Sequence, residues 1–146
     1  MKKIFILIIL SFFLFSKSWA EIVKSIETFG NKRVSSETIK IYGEIQLNKN
    51  YQKKDIDKIL KNIFSTNFFE DVRIELQNNI LKIYVKEYPI VNQLVIVGEK
   101  SNRYKEQIKK VIKLKEKRSF IKSYLADDVD IIKNLYSSLG YNSANV

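Results

Sequence analysis

The sequence predicts an α+β fold made of two tandem β-α-α-β-β units, each with its helices on one face of a small three-stranded mixed sheet. Three observations lead there. Apolar residues at helical spacing give way to apolar residues at every second position, the signature of helices followed by strands. The same order of segments recurs later in the chain, which marks a repeat. The only proline, Pro89, falls between the copies, where it ends a strand and stiffens the link.

The repeat is carried by matched residues. Ile26-Glu27-Thr28-Phe29-Gly30 resembles Leu94-Val95-Ile96-Val97-Gly98 at an offset of 68, and Ile45 and Leu47 return as Ile112 and Leu114 at 67. From Asp55 the offset is 72: Asp55, Ile59, Lys61, Asn62 and Ser65 return as Asp127, Ile131, Lys133, Asn134 and Ser137. The change in offset places an insertion of about five residues before the last helix, in a loop that tolerates it.

In the first unit, residues 21–34 read as a strand closed by the turn pair Gly30-Asn31. Ser35 and Ser36 supply a helix N-cap ahead of Glu37, Ile39 and Tyr42, and Gly43 stops that helix. Ile56, Ile59, Leu60, Ile63 and Phe64 form the apolar stripe of a second helix, which ends near Thr66-Asn67. Val72, Ile74 and Leu76, then Leu81, Ile83 and Val85, alternate with polar neighbours around Gln77-Asn78-Asn79, a β-hairpin.

The second unit starts alike. Gln93 to Val97 reads as its strand, and Tyr104, Ile108, Val111 and Ile112 mark its first helix. Leu125, Val129, Ile132, Tyr136 and Leu139 mark a longer one that stops at Gly140. The expected hairpin does not follow before Val146. Two apolar helix faces and one strand cannot bury themselves alone, so the chain reads as the front part of a longer protein.

Composition narrows the function. The 146 residues carry 26 Lys and Arg against 16 Asp and Glu, a formal charge of +10, and contain neither Cys nor His. That excludes thiol chemistry, disulfides, imidazole bases and nearly every transition-metal site. No phosphate-binding loop, nucleophile elbow or paired catalytic acid is present, so no catalytic, cofactor or metal residue is expected, and a binding module is favoured over an enzyme.

Residues 1–20 read as a cleavable secretory signal. Met1-Lys2-Lys3 is followed by the apolar run Ile4 to Phe15, with small residues Ser18 and Ala20 three and one positions before the expected cut. Twelve apolar residues fall short of the roughly 20 that span a bilayer. Cleavage removes Lys2, Lys3 and Lys17 and leaves +7. Export also turns the basic charge away from nucleic acid, since an RNA-binding reading needs a cytoplasmic protein with a Gly-rich clamping loop.

The stretch Ile63-Phe64-Ser65-Thr66-Asn67-Phe68-Phe69-Glu70-Asp71-Val72-Arg73-Ile74 is the most specific in the chain. Gly30-Asn31-Lys32-Arg33-Val34 precedes it, and Leu81-Lys82-Ile83-Tyr84-Val85-Lys86-Glu87-Tyr88-Pro89 follows. Together they resemble a POTRA domain, and more narrowly the first such domain of the BamA family of outer-membrane protein assembly factors. Val97-Gly98 and Tyr136-Ser137-Ser138-Leu139-Gly140-Tyr141 resemble the next. Asn67 stands where the family has Gly.

The resemblance implies a signal peptide over 1–20, a first domain over 21–89 and a truncated second over 90–146. It also implies a place at the periplasmic face of the outer membrane, held there by a C-terminal barrel absent from this chain. The implied partners are unfolded outer-membrane proteins, periplasmic chaperones and assembly-complex lipoproteins, with no cofactor and no nucleic acid. Another translocation or division protein using the same domain, such as a two-partner secretion transporter, is the alternative.

A three-stranded sheet leaves two open edges, and an extended chain can add to one by β-augmentation. In such domains the first hairpin strand lies at an edge, here Asp71, Val72, Arg73, Ile74, Glu75 and Leu76. The same pattern suits a strand whose apolar residues face the core while its charges guard the edge. A proline at 73 or 75 is expected to cut binding and spare the fold. Two charged clusters complete the inventory. Lys109, Lys110, Lys113, Lys115, Lys117 and Arg118 suit a solvated helix end and loop, or an anionic headgroup or acidic partner. Asp127, Asp128 and Asp130 read as helix-face charges rather than a calcium loop.

Overall fold

A computed structural model describes residues 21–146; the secretory signal expected over 1–20 lies outside them. Short strands β1 (Glu21–Ile22) and β3 (Asn50–Tyr51) form an antiparallel pair. The main sheet contains β2 (Ser25–Phe29), β4 (Phe69–Gln77) and β5 (Ile80–Glu87), in the order β2-β5-β4. β2 runs parallel to β5 and β4 antiparallel to it, so the sheet is mixed as the sequence predicts. Helices α1 (Ser36–Tyr42) and α2 (Lys53–Phe64) cover it.

Local chemistry explains the boundaries. The Ser35 hydroxyl accepts the Thr38 N–H at 3.1 Å, and the Gln52 N–H donates to the Asp55 carboxylate at 2.9 Å, satisfying donors that the first turns leave open. After α2 the chain reverses through Asn67 at φ 59°, a left-handed conformation that Asn tolerates. Asn78 and Asn79 take φ 54° and 64°, the two positive values of a type I′ turn, so β4 and β5 are joined by a two-residue loop. The core of the unit is Val23, Ile39, Tyr51, Ile59, Ile63, Phe69, Val72, Leu81, Ile83 and Val85.

The strand expected over 21–34 is broken in two. Val23 exchanges backbone bonds with Lys49 and Asn48, whereas the Lys24 N–H turns to Asn79 at 2.8 Å, so the chain changes partners between them.

The second half holds α3 (Asn102–Val111) and α4 (Lys122–Ser138). Gln93 to Val97, expected as a strand, forms no ladder. A strand needs a neighbour, and none of the described residues lies alongside; Val95 and Val97 are 65% and 84% exposed. An open apolar cleft of about 880 Å³ results, lined by Leu94, Ile96, Ile108, Ile112, Ile132 and Tyr136. At its rim the Tyr136 hydroxyl donates to Glu99, which pushes the phenol up to about 12.

Asp128 corrects the reading of the Asp cluster as helix-face charges. It is buried, and its carboxylate accepts the N–H groups of Lys113 and Leu114, fastening α4 to the chain beyond α3.

The halves meet along a paired seam. Ile90 bridges Ser119, the Val91 N–H donates to Arg118 O at 2.8 Å and the Lys117 N–H to Val91 O at 2.8 Å. The Phe120 N–H reaches Pro89 O at 2.7 Å.

Candidate functional site

β4 pairs with β5 on one side, and its other side is a sheet edge among the described residues. This places Asp71, Val72, Arg73, Ile74, Glu75 and Leu76 on an open strand. The register settles which backbone groups point outward. In a two-residue hairpin the residues flanking the loop exchange both hydrogen bonds, and Gln77 faces Ile80 there. Because hydrogen-bonded and non-bonded pairs alternate, Glu75↔Lys82 and Arg73↔Tyr84 also spend their amides on β5. The N–H and C=O groups of Val72, Ile74 and Leu76 therefore face away from the sheet.

That geometry overturns one expectation. A proline at 73 or 75 removes a ladder donor, so it breaks the β4–β5 pairing instead of sparing it. The amides available to another chain belong to the residues whose side chains pack inward.

The two faces of this edge differ. On the helix side Val72 is buried and Ile74 and Leu76 pack partly buried against the core. Leu60 and Phe64, one turn apart on α2, stay 36% and 46% exposed, about 160° and 120° around the helix from Lys58, whose ammonium pairs with Glu44 beyond α1. On the outer face the Arg73 guanidinium lies 4.5 Å from the Tyr84 ring centroid, and Tyr84 stacks on Phe29 at 5.0 Å. Arg73 also pairs with Glu75 at 3.4 Å. These exposed contacts order the face and contribute little stability. A register shift between Phe69 and Asp71 bulges the strand, and Lys86 pairs with Glu70 beside it, so the regular edge runs from Asp71 onward.

A feature absent from the sequence reading anchors the far end of β5. One Glu87 oxygen accepts the N–H groups of Lys32, Arg33 and Val34 at 2.7, 2.9 and 3.0 Å, and the other accepts Arg33 Nε at 2.9 Å. Burial alone would raise this carboxyl. The bonds from Val34, Lys32 and Arg33, with the guanidinium charge, outweigh it and hold the group below the ordinary carboxylate range. Arg33 also donates to Tyr88 O at 2.6 Å, so the loop after β2 is tied to the strand leading into the seam. A Glu before Tyr-Pro, with Arg after Gly-Asn, was the visible signal; the contact spans 54 residues and no local pattern reveals it.

Comparison with known proteins finds likenesses in both sequence and fold. The sequence model of the POTRA family, described as a surface antigen variable number repeat, matches residues 89–146. The chain is 28% identical over 88 residues to the outer membrane protein assembly factor BamA of Neorickettsia risticii, an alignment covering 60% of this chain and 12% of the relative. It is 30% identical over 78 residues to BamA of Neisseria meningitidis serogroup B, covering 53% and 10%. The chain thus spans about a tenth of the length of these relatives. Among solved structures it is similar in fold to the N-terminal domain of Omp85 from Thermosynechococcus elongatus, with TM-score 0.57 and 15% identity, covering 86% of this chain and 55% of that one. The fold also matches POTRA1-2 of the periplasmic domain of Omp85 from Anabaena, with TM-score 0.50 and 15% identity over 88% and 86% of the two chains.

Proposed function

We propose that this chain carries POTRA domains of the BamA kind and is the periplasmic POTRA region of an outer-membrane protein assembly factor, a reading supported by the POTRA match over 89–146 and the likeness to two BamA proteins. In this reading it binds unfolded outer-membrane β-barrel proteins and accessory lipoproteins by β-augmentation, as a scaffold and without catalysis. Residues 1–20 direct its export. Residues 21–89 are the first unit and 90–146 the front of a second. The unpaired segment 93–97 and the open cleft support that division, because in the first unit the matching strand β2 pairs with β5 and the hairpin covers the helices.

The observation that carries the binding reading is the edge of β4. Val72, Ile74 and Leu76 offer three donors and three acceptors to an extended chain. Backbone pairing is nearly blind to sequence, which suits a module that handles many unfolded clients. The alternating faces favour clients that alternate apolar and polar residues, as strands of membrane barrels do.

The test compares I74P with I74A, using a labelled ten-residue strand peptide from a membrane β-barrel protein. Both variants lose the Ile74 side chain, but only the proline loses the outward N–H. Binding weakened by I74P well beyond I74A is the expected result. Equal affinities of the two folded variants would remove β4 as the client edge.

A further inference from the structure

The seam between the halves contains a cleft of about 240 Å³ that no part of the client edge uses. Arg33 from the first half and Lys113, Lys117 and Arg118 from the second line it, with the Asn67 amide beside them; the Thr66 hydroxyl, also on the wall, donates to Ile63 O at 2.7 Å. No carboxylate is among its lining residues. Two of the cations are already matched: Arg33 with Glu87 at 2.9 Å and Lys113 with Asp127 at 2.7 Å. Lys117 and Arg118 have no ion pair among the described residues, so the cleft carries a surplus of two positive charges.

A second observation points to the same spot. Lys117 sits at φ 61°, a left-handed conformation that costs a non-glycine residue energy. The bonds to Val91 hold it there, and the conformation sets consecutive cations 117 and 118 on the cleft. Residues kept in such conformations concentrate at binding sites, where the surrounding structure maintains them.

We propose that this cleft binds a doubly charged phosphate group, either free phosphate or the monoester headgroup of a lipid. Two unmatched cations balance a dianion. Guanidinium, ammonium and amide donors approaching from both halves suit its tetrahedral oxygens better than the planar pair of one carboxylate. Because both halves contribute, occupancy also ties them together across the seam.

The experiment titrates inorganic phosphate into the full chain while amide resonances of Thr66, Asn67 and 117–119 are followed. Those resonances should shift in a saturable, salt-sensitive way. The double variant K117N/R118Q should bind about tenfold more weakly or worse, given the usual strength of hydrogen bonds to charged groups. Asn is used because it tolerates the left-handed position. K53Q/K54Q, which removes two cations from the start of α2, should bind like the parent, and unchanged circular dichroism should confirm that every variant is folded. Vesicles of phosphatidylcholine with and without phosphatidic acid identify the source: retention only with phosphatidic acid, lost in K117N/R118Q, assigns a lipid headgroup. A phosphate response without vesicle retention assigns the free ion. Equal phosphate affinity in parent and K117N/R118Q, no shift at the seam, or a response only to polyglutamate would overturn the proposal.

Discussion

At the residue scale, Glu87 is the side chain on which the junction most depends. Its folded-state pKa is depressed, so its contribution is present above its unfolded value near 4.5 and is lost as pH falls through the lower folded value. E87Q should destabilise the first unit by about 2 kcal/mol at pH 7, in line with charged hydrogen bonds. Urea unfolding across pH should show the gap between parent and E87Q narrowing as pH falls below the unfolded value and closing once the folded carboxyl is protonated. A gap unchanged by that protonation would mean that shape, not charge, makes the contact. Gly30 is constrained from another direction: at φ 83° an added Cβ would lie 2.1 Å from Val85 O. G30A should therefore lower the thermal midpoint by more than the usual Gly-to-Ala effect, because backbone rather than a flexible side chain blocks the site. D128A, leaving the buried Leu114 N–H and the half-buried Lys113 N–H without an acceptor, should cost about 1–3 kcal/mol by the same measurement if the second half unfolds cooperatively.

At the element scale, the hairpin was the most legible part of the sequence and also the place where reading by side chains misled. Alternation of Val72, Ile74 and Leu76 tells which face a residue joins, and Asn78-Asn79 tells that the loop is short. Neither by itself tells which way an amide points; that requires Gln77 and Ile80 as the closing pair, from which the outward set follows. R73P should thus behave opposite to the simple expectation. It leaves the Tyr84 carbonyl without its donor, at about 1–3 kcal/mol, and should lower the thermal midpoint, whereas I74P should melt near I74A. Other elements resisted for a different reason. The break between β1 and β2 depends on bonds from Val23 to Lys49 and from Lys24 to Asn79, which no short window contains. Asp128 looks like any charge on an amphipathic helix until Lys113 and Leu114 are brought to it. Gln93 to Val97 has the side chains of a strand, but a ladder is a property of two segments and no second one pairs with it among the described residues.

At the scale of the whole molecule, the first half buries a continuous core beneath its sheet while the second leaves an apolar cleft open. Residues 21–89 alone should melt cooperatively, and residues 90–146 alone should show no cooperative transition or should aggregate. Calorimetry on the two fragments checks both, and a sharp transition in the second would show that α3 and α4 suffice. The order of elements in the first unit and its mixed sheet were readable because they rest on periodicity, turn chemistry and the succession of segments. The seam was not, since the Lys117 to Phe120 stretch meets the linker through backbone bonds that any residues could make.

An unfolded client that joins the outer edge of β4, as proposed, must cover its outward amides. Amide hydrogen exchange read residue by residue, with and without a saturating barrel-strand peptide, detects that cover. The amides of Arg73 and Glu75 should already be slow in the free protein, because β5 holds them. Val72, Ile74 and Leu76 should exchange quickly alone and become slow with peptide bound. Protection gained elsewhere, with those three amides unchanged at saturation, would contradict the account.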